Sequence, residues 1–328
     1  MLRNAGHDVL VYWGGDRADV SLMPVEEQEQ FFGKWNPASL PVIDWKPQNP
    51  YWKVFHQRAI SEITERVGPT DIIGFIGGCV AQEVIDVFKQ THTVIEPGVG
   101  YEGISPDTFA CFETYAWMHN RYGACGIGNG RAFDTVIPNA VFPDEWYMSE
   151  SRGYALFVGR LIQRKGPHVA AEIANAAGLK LLMAGGGVAH KEPGRIIATD
   201  GTVIKGDVEH VGPVVGEDRK RLFAEAEVLI CPTLYIGPWE GVHAEAMMSG
   251  VPVVAPDYGA FTETLPVEYR YRNMSQAVKA VKRGQMTRGS EWRRHAINLC
   301  GVDRCERMYD DWIDRLMSLR DGRKGWYS

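Results

Sequence analysis

The segment Phe157–Gly166 places two cations around a glycine turn. Its sequence, FVGRLIQRKG, is an apolar strand that ends at Gly159 and is followed by Arg160 and Lys165. Such cations, together with open backbone amides, can bind a diphosphate. We therefore predict a diphosphate site at this turn; a solvated basic turn is the alternative.

A second strand runs directly into glycines. The segment Leu181–Gly187 reads LLMAGGG, and open α/β sheets bind ligands at the carboxyl ends of their strands. Gly185 and Gly186 are therefore candidate binding positions. A tight turn accounts for the same glycines equally well.

A third signal lies in Pro232–Val254, which reads as a loop, a short helix and a buried strand. Amides at Gly241 and Val242 would open the helix, where phosphate is favoured. Glu240 and Glu245 can accept hydrogen bonds from sugar or ribose hydroxyls. For Glu240, an acid favoured in a first helical turn is an equally good interpretation.

A fourth strand-end loop, Asp257–Thr264, contains a glycine and an acid, and it adds Thr262 to the candidates. A plain turn is the alternative. The sequence contains no Asp-x-Asp, no GxxxxGK[ST] and no GxSxG motif. This argues against a metal site, a kinase-like phosphate loop and a hydrolase.

Taken in order, the motifs GR…KG, GGG, EAMxxGxPVV and GAFxE resemble the retaining glycosyltransferases of family four (glycosyl transferases group 1) over nearly the whole second half. The resemblance implies that Arg160 and Lys165 hold a donor diphosphate and that Glu245 holds the ribose. It also implies an acid eight positions before Glu245, where this chain has Gly237. Either Glu240 replaces that acid or the donor sugar is held differently.

The resemblance thus defines a candidate site. The predicted catalytic residues are Arg160, Lys165 and Glu240. The predicted donor-binding residues are Gly159, Arg160, Lys165, Gly185, Gly186, Gly237, Glu240, Gly241, Val242, Glu245 and Thr262. No metal ligand is predicted.

The first half resembles a subset of the same family more loosely, through VIEPGVGYEG at 94–103 and FETYAWMH at 112–119. In enzymes of this kind that domain faces the acceptor. The acceptor-side candidates are Glu96, Gly98, Tyr101, Glu102 and His119. For His119, a satisfied core or interface histidine is the alternative.

The expected function follows from the resemblance. A sugar would move from a nucleotide-diphosphate sugar, a UDP- or GDP-sugar, to a hydroxyl acceptor with retention and without a metal or other cofactor. The leaving phosphate would deprotonate the acceptor, with no covalent nucleophile. The alternatives are an epimerase or phosphorylase of the same plan, a non-catalytic nucleotide-sugar-binding protein, and a transferase acting on modified DNA bases.

Short apolar runs alternate along the sequence with longer stretches of helical periodicity. This alternation predicts parallel strands joined by crossover helices, and these elements must position the candidate residues. The predicted strands are 7–12, 71–76, 91–96, 135–138, 154–158, 180–184, 203–205, 228–232 and 252–255. The predicted helices are 51–67, 80–89, 168–177, 217–225 and 242–249.

This pattern predicts an α/β protein. Together with the resemblance it implies two Rossmann-like doubly wound domains facing across a cleft, the GT-B plan. Residues 1–145 would form the acceptor-side domain, whose first strand is missing from the pattern, and 146–302 the donor domain. We place the linker at 138–153. The spacing of Met308, Trp312, Ile313 and Leu316 predicts a terminal helix within 303–328 that ends at Gly322. The resemblance implies that this helix packs on the first domain.

Composition excludes several classes. The chain has 35 Lys plus Arg against 41 Asp plus Glu, a net charge of −6, so it carries no strong nucleic-acid signature. Its 6 scattered cysteines read as free thiols. Neither a signal peptide nor a transmembrane span is predicted. We expect a cytoplasmic protein, with peripheral contact to a membrane surface left open.

Overall fold

The protein comprises two compact units. The computed structural model describes residues 2–3, 6–14, 18–34, 46 and 48–321. Unit 1 consists of Met1–Glu113, Arg121–Ile137 and Glu306–Ser328, and unit 2 consists of Thr114–Asn120 and Pro138–Cys305. The chain therefore passes between the units four times, at 113/114, 120/121, 137/138 and 305/306.

Unit 1 contains a parallel sheet with the strand order β3-β4-β5-β6, and a separate parallel pair β1-β2. The elements up to β6 are β1 (Tyr12–Gly14), β2 (Val20–Met23), α1 (Val25–Phe32), α2 (Pro50–Arg66), β3 (Ile72–Gly74), α3 (Gln82–Phe88), β4 (Thr93–Val99), β5 (Phe109–Phe112), α4 (Tyr115–Ala124) and β6 (Thr135–Val136). Helix α4 begins in unit 2 and ends in unit 1.

Helix α2 supplies much of the unit 1 core. It begins where Asn49 accepts a hydrogen bond from the amide of Tyr51 (2.9 Å) and Pro50 fills the first helical position. Its buried apolar residues belong to the same core cluster as those of α3; these residues are Tyr51, Trp52, Phe55, Ala59, Ile63, Val84, Ile85 and Phe88.

Unit 2 contains a six-stranded parallel sheet with the order β12-β8-β7-β13-β14-β15 and a three-stranded antiparallel sheet with the order β11-β10-β9. The remaining elements are β7 (Ala155–Val158), α5 (Pro167–Ala177), β8 (Leu181–Ala184), β9 (Val188–Glu192), β10 (Arg195–Ala198), β11 (Val203–Lys205), β12 (Val208–Gly212), α6 (Gly216–Ala224), β13 (Val228–Ile230), α7 (Gly241–Met248), β14 (Val253–Pro256), α8 (Phe261–Thr264), β15 (Arg270–Tyr271), α9 (Met274–Thr287), α10 (Ser290–Cys300) and α11 (Val302–Asp321). Helix α11 begins in unit 2 and continues in unit 1 from Glu306.

Strand β7 lies inside the larger sheet and is buried on both faces. Ala155 and Phe157 belong to one core cluster, and Leu156 and Val158 belong to the other. A strand covered on both sides reads as a continuous apolar run, and this is why the sequence pattern locates it. The predicted α/β class, with parallel strands and crossover helices, is confirmed.

The strand predicted at 203–205 is confirmed as β11, which pairs antiparallel with β10 in the small sheet, whereas β12 at the edge of the large sheet was not predicted. The first strand differs from its prediction: it covers Tyr12–Gly14 and not 7–12, and it pairs with β2 alone. This error arises because the strand is short and its exposed residues interrupt the apolar pattern.

The predicted linker 138–153 belongs to unit 2 from Pro138 onward. Trp146 packs edge-to-face on Phe223 (5.6 Å between ring centroids), which fastens the segment to the unit 2 core. In α11, Tyr309 takes the buried place expected for Met308, and the Trp312 indole donates to the carbonyl oxygen of Phe133 (2.8 Å). The predicted helix end at Gly322 lies outside the described residues.

Candidate functional site

Four loops of unit 2 follow the carboxyl ends of β7, β8, β13 and β14, which lie next to one another in the sheet. The amide of Gly159, after β7, donates to the carbonyl oxygen of Ala184 (2.9 Å). The amide of Leu234, after β13, donates to the carbonyl oxygen of Arg164 (2.9 Å). The structure therefore brings the predicted loops together at the sheet edge where α/β proteins bind ligands.

The first two glycines after β8 differ in the space around their Cα atoms. A Cβ atom on Gly185 would lie 2.0 Å from the carbonyl oxygen of Gly159, and Gly185 has a φ of +141°. Gly186 has no atom within 4 Å of its Cβ direction. Gly185 therefore permits two strand ends to approach closely, whereas Gly186 leaves open space above the loop.

The two predicted diphosphate cations lie in different surroundings. Arg160 is exposed, and no other described residue forms a hydrogen bond or ion pair with its guanidinium. Lys165 is half-buried, with its Nζ 2.6 and 2.7 Å from the two carboxylate oxygens of Glu240 and 5.1 Å from the ring centroid of Tyr235. Burial alone would lower the pKa of Lys165, but Glu240 raises it above its usual value.

Glu240 immediately precedes α7 and has an unusual backbone conformation. It is the one non-glycine residue with a positive φ (67°) in the part of the chain that the structure describes. A Cβ atom at Gly237 would lie 2.5 Å from Oε1 of Glu240. The carboxylate of Glu240 therefore lies beside the backbone at position 237, where the resemblance implied an acid.

Helix α7 begins with open amides. Gly241 and Val242 form its first turn, whose amides have no partner within the helix. His243 is completely buried, and its Nδ1 donates to the carbonyl oxygen of Glu240 (2.5 Å). Burial lowers the pKa of His243 to about 4, so its ring is uncharged at neutral pH. The sequence interpretation did not include this histidine, which helps to hold the turn at Glu240.

Glu245 lies on α7 and forms an ion pair with Arg219 of α6 (2.5 Å). Burial raises the pKa of Glu245, and Arg219 opposes that shift. About a fifth of the side chain remains accessible, 21%. The ribose contact predicted for Glu245 stays a prediction. The sequence interpretation did not include Arg219, because it lies far from Glu245 in the sequence.

Thr262 and Glu263 lie within the short helix α8. The Thr262 hydroxyl donates to the carbonyl oxygen of Gly259 (2.8 Å). The carboxylate of Glu263 accepts hydrogen bonds from the amides of Tyr115 (2.9 Å) and Ala116 (2.6 Å). Glu263 therefore satisfies the first turn of α4, an interaction favoured by the helix dipole.

Glu96, an acceptor-side candidate from the sequence, is completely buried, and its acceptor-side role stays a prediction. Its carboxylate accepts hydrogen bonds from Tyr101 Oη (2.8 Å), the Ser105 amide (2.8 Å) and Thr108 Oγ1 (2.5 Å). Burial raises the pKa of Glu96, and these donors oppose the shift. Glu96 and Tyr101 thus form a structural network, since a buried acid requires such partners.

The acceptor-side roles of the other candidates are also still predictions. Gly98 has a φ of +63° and open space around its Cβ direction. Glu102 is exposed, with its carboxylate 3.9 Å from Arg121. His119 is also exposed and stacks on Tyr115 with 6.4 Å between ring centroids, so it is not a core histidine.

The small antiparallel sheet contributes a residue that the sequence interpretation missed. Asp200, between β10 and β11, accepts a hydrogen bond from the amide of Gln163 (2.7 Å), inside the loop that carries Arg160 and Lys165. Its other oxygen accepts from the Thr202 amide (3.0 Å). The small sheet therefore anchors the predicted diphosphate loop.

Among the residues that the structure describes, no three His, Cys, Asp or Glu side chains are arranged to hold a metal ion. Over the same residues, no helix has both the length and the apolar content needed to cross a membrane.

Residues 152–273, which contain all four strand-end loops, match a family model described as glycosyl transferases group 1. We refer to residues 152–273 as the group 1 segment. The resemblance drawn from the motifs is confirmed to that level, while the family-four assignment and retention stay predictions. No curated protein sequence matches the chain.

Several solved glycosyltransferases share this fold. AviGT4, described as involved in avilamycin A biosynthesis, has 22% identity and a TM-score of 0.60, covering 80% of this chain and 78% of its own. A glycosyltransferase from Rickettsia africae ESF-5 has 12% identity and a TM-score of 0.64, covering 84% of each chain. HepE from Anabaena, solved with UDP and glucose, has 14% identity and a TM-score of 0.55, covering 80% and 81%.

These likenesses cover about four-fifths of the chain, well beyond the group 1 segment. At such low identity they establish the fold, and they leave the residue roles to the geometry of this protein.

Proposed function

We propose that the protein is a retaining, metal-independent glycosyltransferase that moves a sugar from a nucleotide-diphosphate donor to a hydroxyl acceptor. One observation supports this above all. Within the group 1 segment, Arg160 lies at the strand ends with no hydrogen bond or ion pair to its guanidinium from another described residue, and the amides of Gly241 and Val242 lie in the first turn of α7, the helix that follows β13. A diphosphate suits such a combination of charge and amide donors.

In this proposal Arg160, Lys165 and the first amides of α7 stabilise the charge on the departing diphosphate. The departing phosphate oxygen takes the proton of the acceptor hydroxyl, so no protein nucleophile is required. HepE has been solved with UDP-glucose, which makes UDP the first nucleotide to test. GDP is the second.

The first experiment is a thermal-shift panel with UDP-, GDP-, ADP- and TDP-sugars. A donor at 100 times its Kd should stabilise the wild type by about 2.7 kcal/mol. We expect one nucleotide class to do so, and the Arg160→Ala/Lys165→Ala variant to lose the effect. Lys180→Ala is the control, since Lys180 is half-exposed and pairs with Glu209.

The second part of this test is a turnover assay with pooled acceptors, in which mass spectrometry detects the released nucleoside diphosphate. Turnover that requires an acceptor supports the transferase. Donor conversion without an acceptor would favour an epimerase or phosphorylase, and stabilisation without turnover would favour a nucleotide-sugar-binding protein. Absence of any stabilisation would refute the proposed diphosphate site.

A second prediction concerns Asp200. Asp200→Ala should raise the donor KM about tenfold with little change in kcat, because the variant frees the amide of Gln163 and loosens the loop before the donor binds. Steady-state kinetics measures this. Asp207→Ala, at an exposed position after β11, is the matched control. An unchanged KM in the Asp200 variant would show that the small sheet does not position the loop.

A further inference from the structure

Lys165 and Glu240 neutralise each other within the proposed donor site. Both carboxylate oxygens contact the ammonium group, and only 19% of the Lys165 side chain and 7% of the Glu240 side chain are exposed. A second nearby cation, Arg164, stacks on the ring of Tyr235 at 4.8 Å. A site for an anionic ligand thus includes a carboxylate at its centre.

The local backbone is adapted to this carboxylate. Glu240 has a left-handed conformation that glycine adopts more easily, and Gly237 lacks the Cβ atom that would approach Oε1 to 2.5 Å. The buried ring of His243 donates to the carbonyl oxygen of Glu240 and so supports the same turn. Gly237 therefore leaves room for this carboxylate, and His243 supports its backbone.

Fold stability does not account for this arrangement. A buried ion pair loses hydration that its attraction only partly returns, and a left-handed glutamate is less stable than a glycine in the same turn. Strained and charged residues of this kind are concentrated in ligand sites. The position of Glu240 therefore indicates a role in binding.

A carboxylate distinguishes a sugar from a free phosphate. It accepts hydrogen bonds from neutral hydroxyl groups, and it repels additional negative charge. A nucleotide that ends in a free phosphate carries such additional charge at neutral pH, because the second pKa of a phosphate ester is about 6. A sugar linked to the diphosphate removes that charge and adds hydroxyls.

We propose that Glu240 determines specificity, favouring nucleotide-diphosphate sugars over nucleotides that end in a free phosphate; this inference rests on the proposed function. The same charge acts on the product. Once the sugar has been transferred, the nucleoside diphosphate gains a terminal phosphate charge, and Glu240 then weakens its binding. One side chain thus favours donor entry and product release.

The test measures the ratio of two dissociation constants by titration calorimetry, Kd of UDP over Kd of UDP-glucose, and likewise for GDP with GDP-mannose. Glu240→Gln keeps the shape of the side chain and removes its charge. We expect the ratio to fall about tenfold, mainly through tighter binding of the free diphosphate. Glu240→Gly, which suits the positive φ, should lower the ratio in the same direction.

The matched control is Glu172→Gln on α5, an exposed acid, and its ratio should equal that of the wild type. An unchanged ratio in both Glu240 variants, with wild-type protein that binds the sugar nucleotide, would overturn this inference alone. If the wild type binds neither member of either pair, the proposed function fails and this inference fails with it.

Discussion

Lys165→Met should reduce nucleotide-sugar turnover about 100- to 1,000-fold, the usual effect of removing one group that stabilises a transition-state charge. Methionine keeps the aliphatic stem and deletes the ammonium group. The carboxylate of Glu240, only 7% exposed, then lacks its partner. We therefore also expect the variant to lose about 3 kcal/mol of unfolding free energy.

A second substitution separates these two effects. Lys165→Met/Glu240→Gln carries no unpaired charge, so its unfolding free energy in urea should return close to that of the wild type. Its turnover, measured as released nucleoside diphosphate, should remain low. Lys180→Met, at a half-exposed pair on the same sheet, should change neither quantity appreciably. Recovery of turnover in the double variant would mean that Lys165 only compensates the charge of Glu240.

The second large effect is expected at Gly185. Gly185→Ala should lower the unfolding free energy by at least about 3 kcal/mol, because the new Cβ atom meets a backbone carbonyl and the positive φ disfavours alanine. The carbonyl oxygen, that of Gly159, would be 2.0 Å away. Because Gly159 directly precedes Arg160, a shift of this backbone should also weaken donor binding.

Gly186→Ala is a control at the next residue, where no atom lies within 4 Å of the new methyl group. Its unfolding free energy should change by no more than about 0.5 kcal/mol. Thermal unfolding of the two variants side by side measures the difference, which corresponds to roughly 6–12 °C in Tm. Equal Tm values would show that the close approach of the two strand ends is readily relaxed.

The strand-end loops were predictable because central parallel strands are buried on both faces. Leu156 and Phe157 belong to opposite core clusters, and the resulting apolar run ends sharply at Gly159. The order of the motifs then indicated Arg160 and Lys165 as the predicted diphosphate-binding cations. The sequence-based interpretation therefore identified which loops share a sheet edge, although it could not include their mutual hydrogen bonds.

Interactions between distant residues were not predictable in the same way. Arg219 contacts Glu245 across 26 positions, and no local periodicity reports such a pair. Glu96 became an acceptor-side candidate through the family resemblance, and its complete burial depends on three donors that local sequence does not reveal. Of the small sheet, only β11 was predicted; β9 was missed because it is largely exposed and lacks an apolar run.

The four crossings between the units have a consequence for protein engineering. A contiguous fragment 138–305 would contain the group 1 segment but omit Thr114–Asn120, which belongs to unit 2. Glu263 would lose its two amide donors, and the carbonyl oxygen of Pro238, beside Gly237, would lose its bond from Thr114 Oγ1 (2.9 Å). Unit 2 is thus not transplantable as one contiguous fragment, and a chimaera must also include residues 114–120.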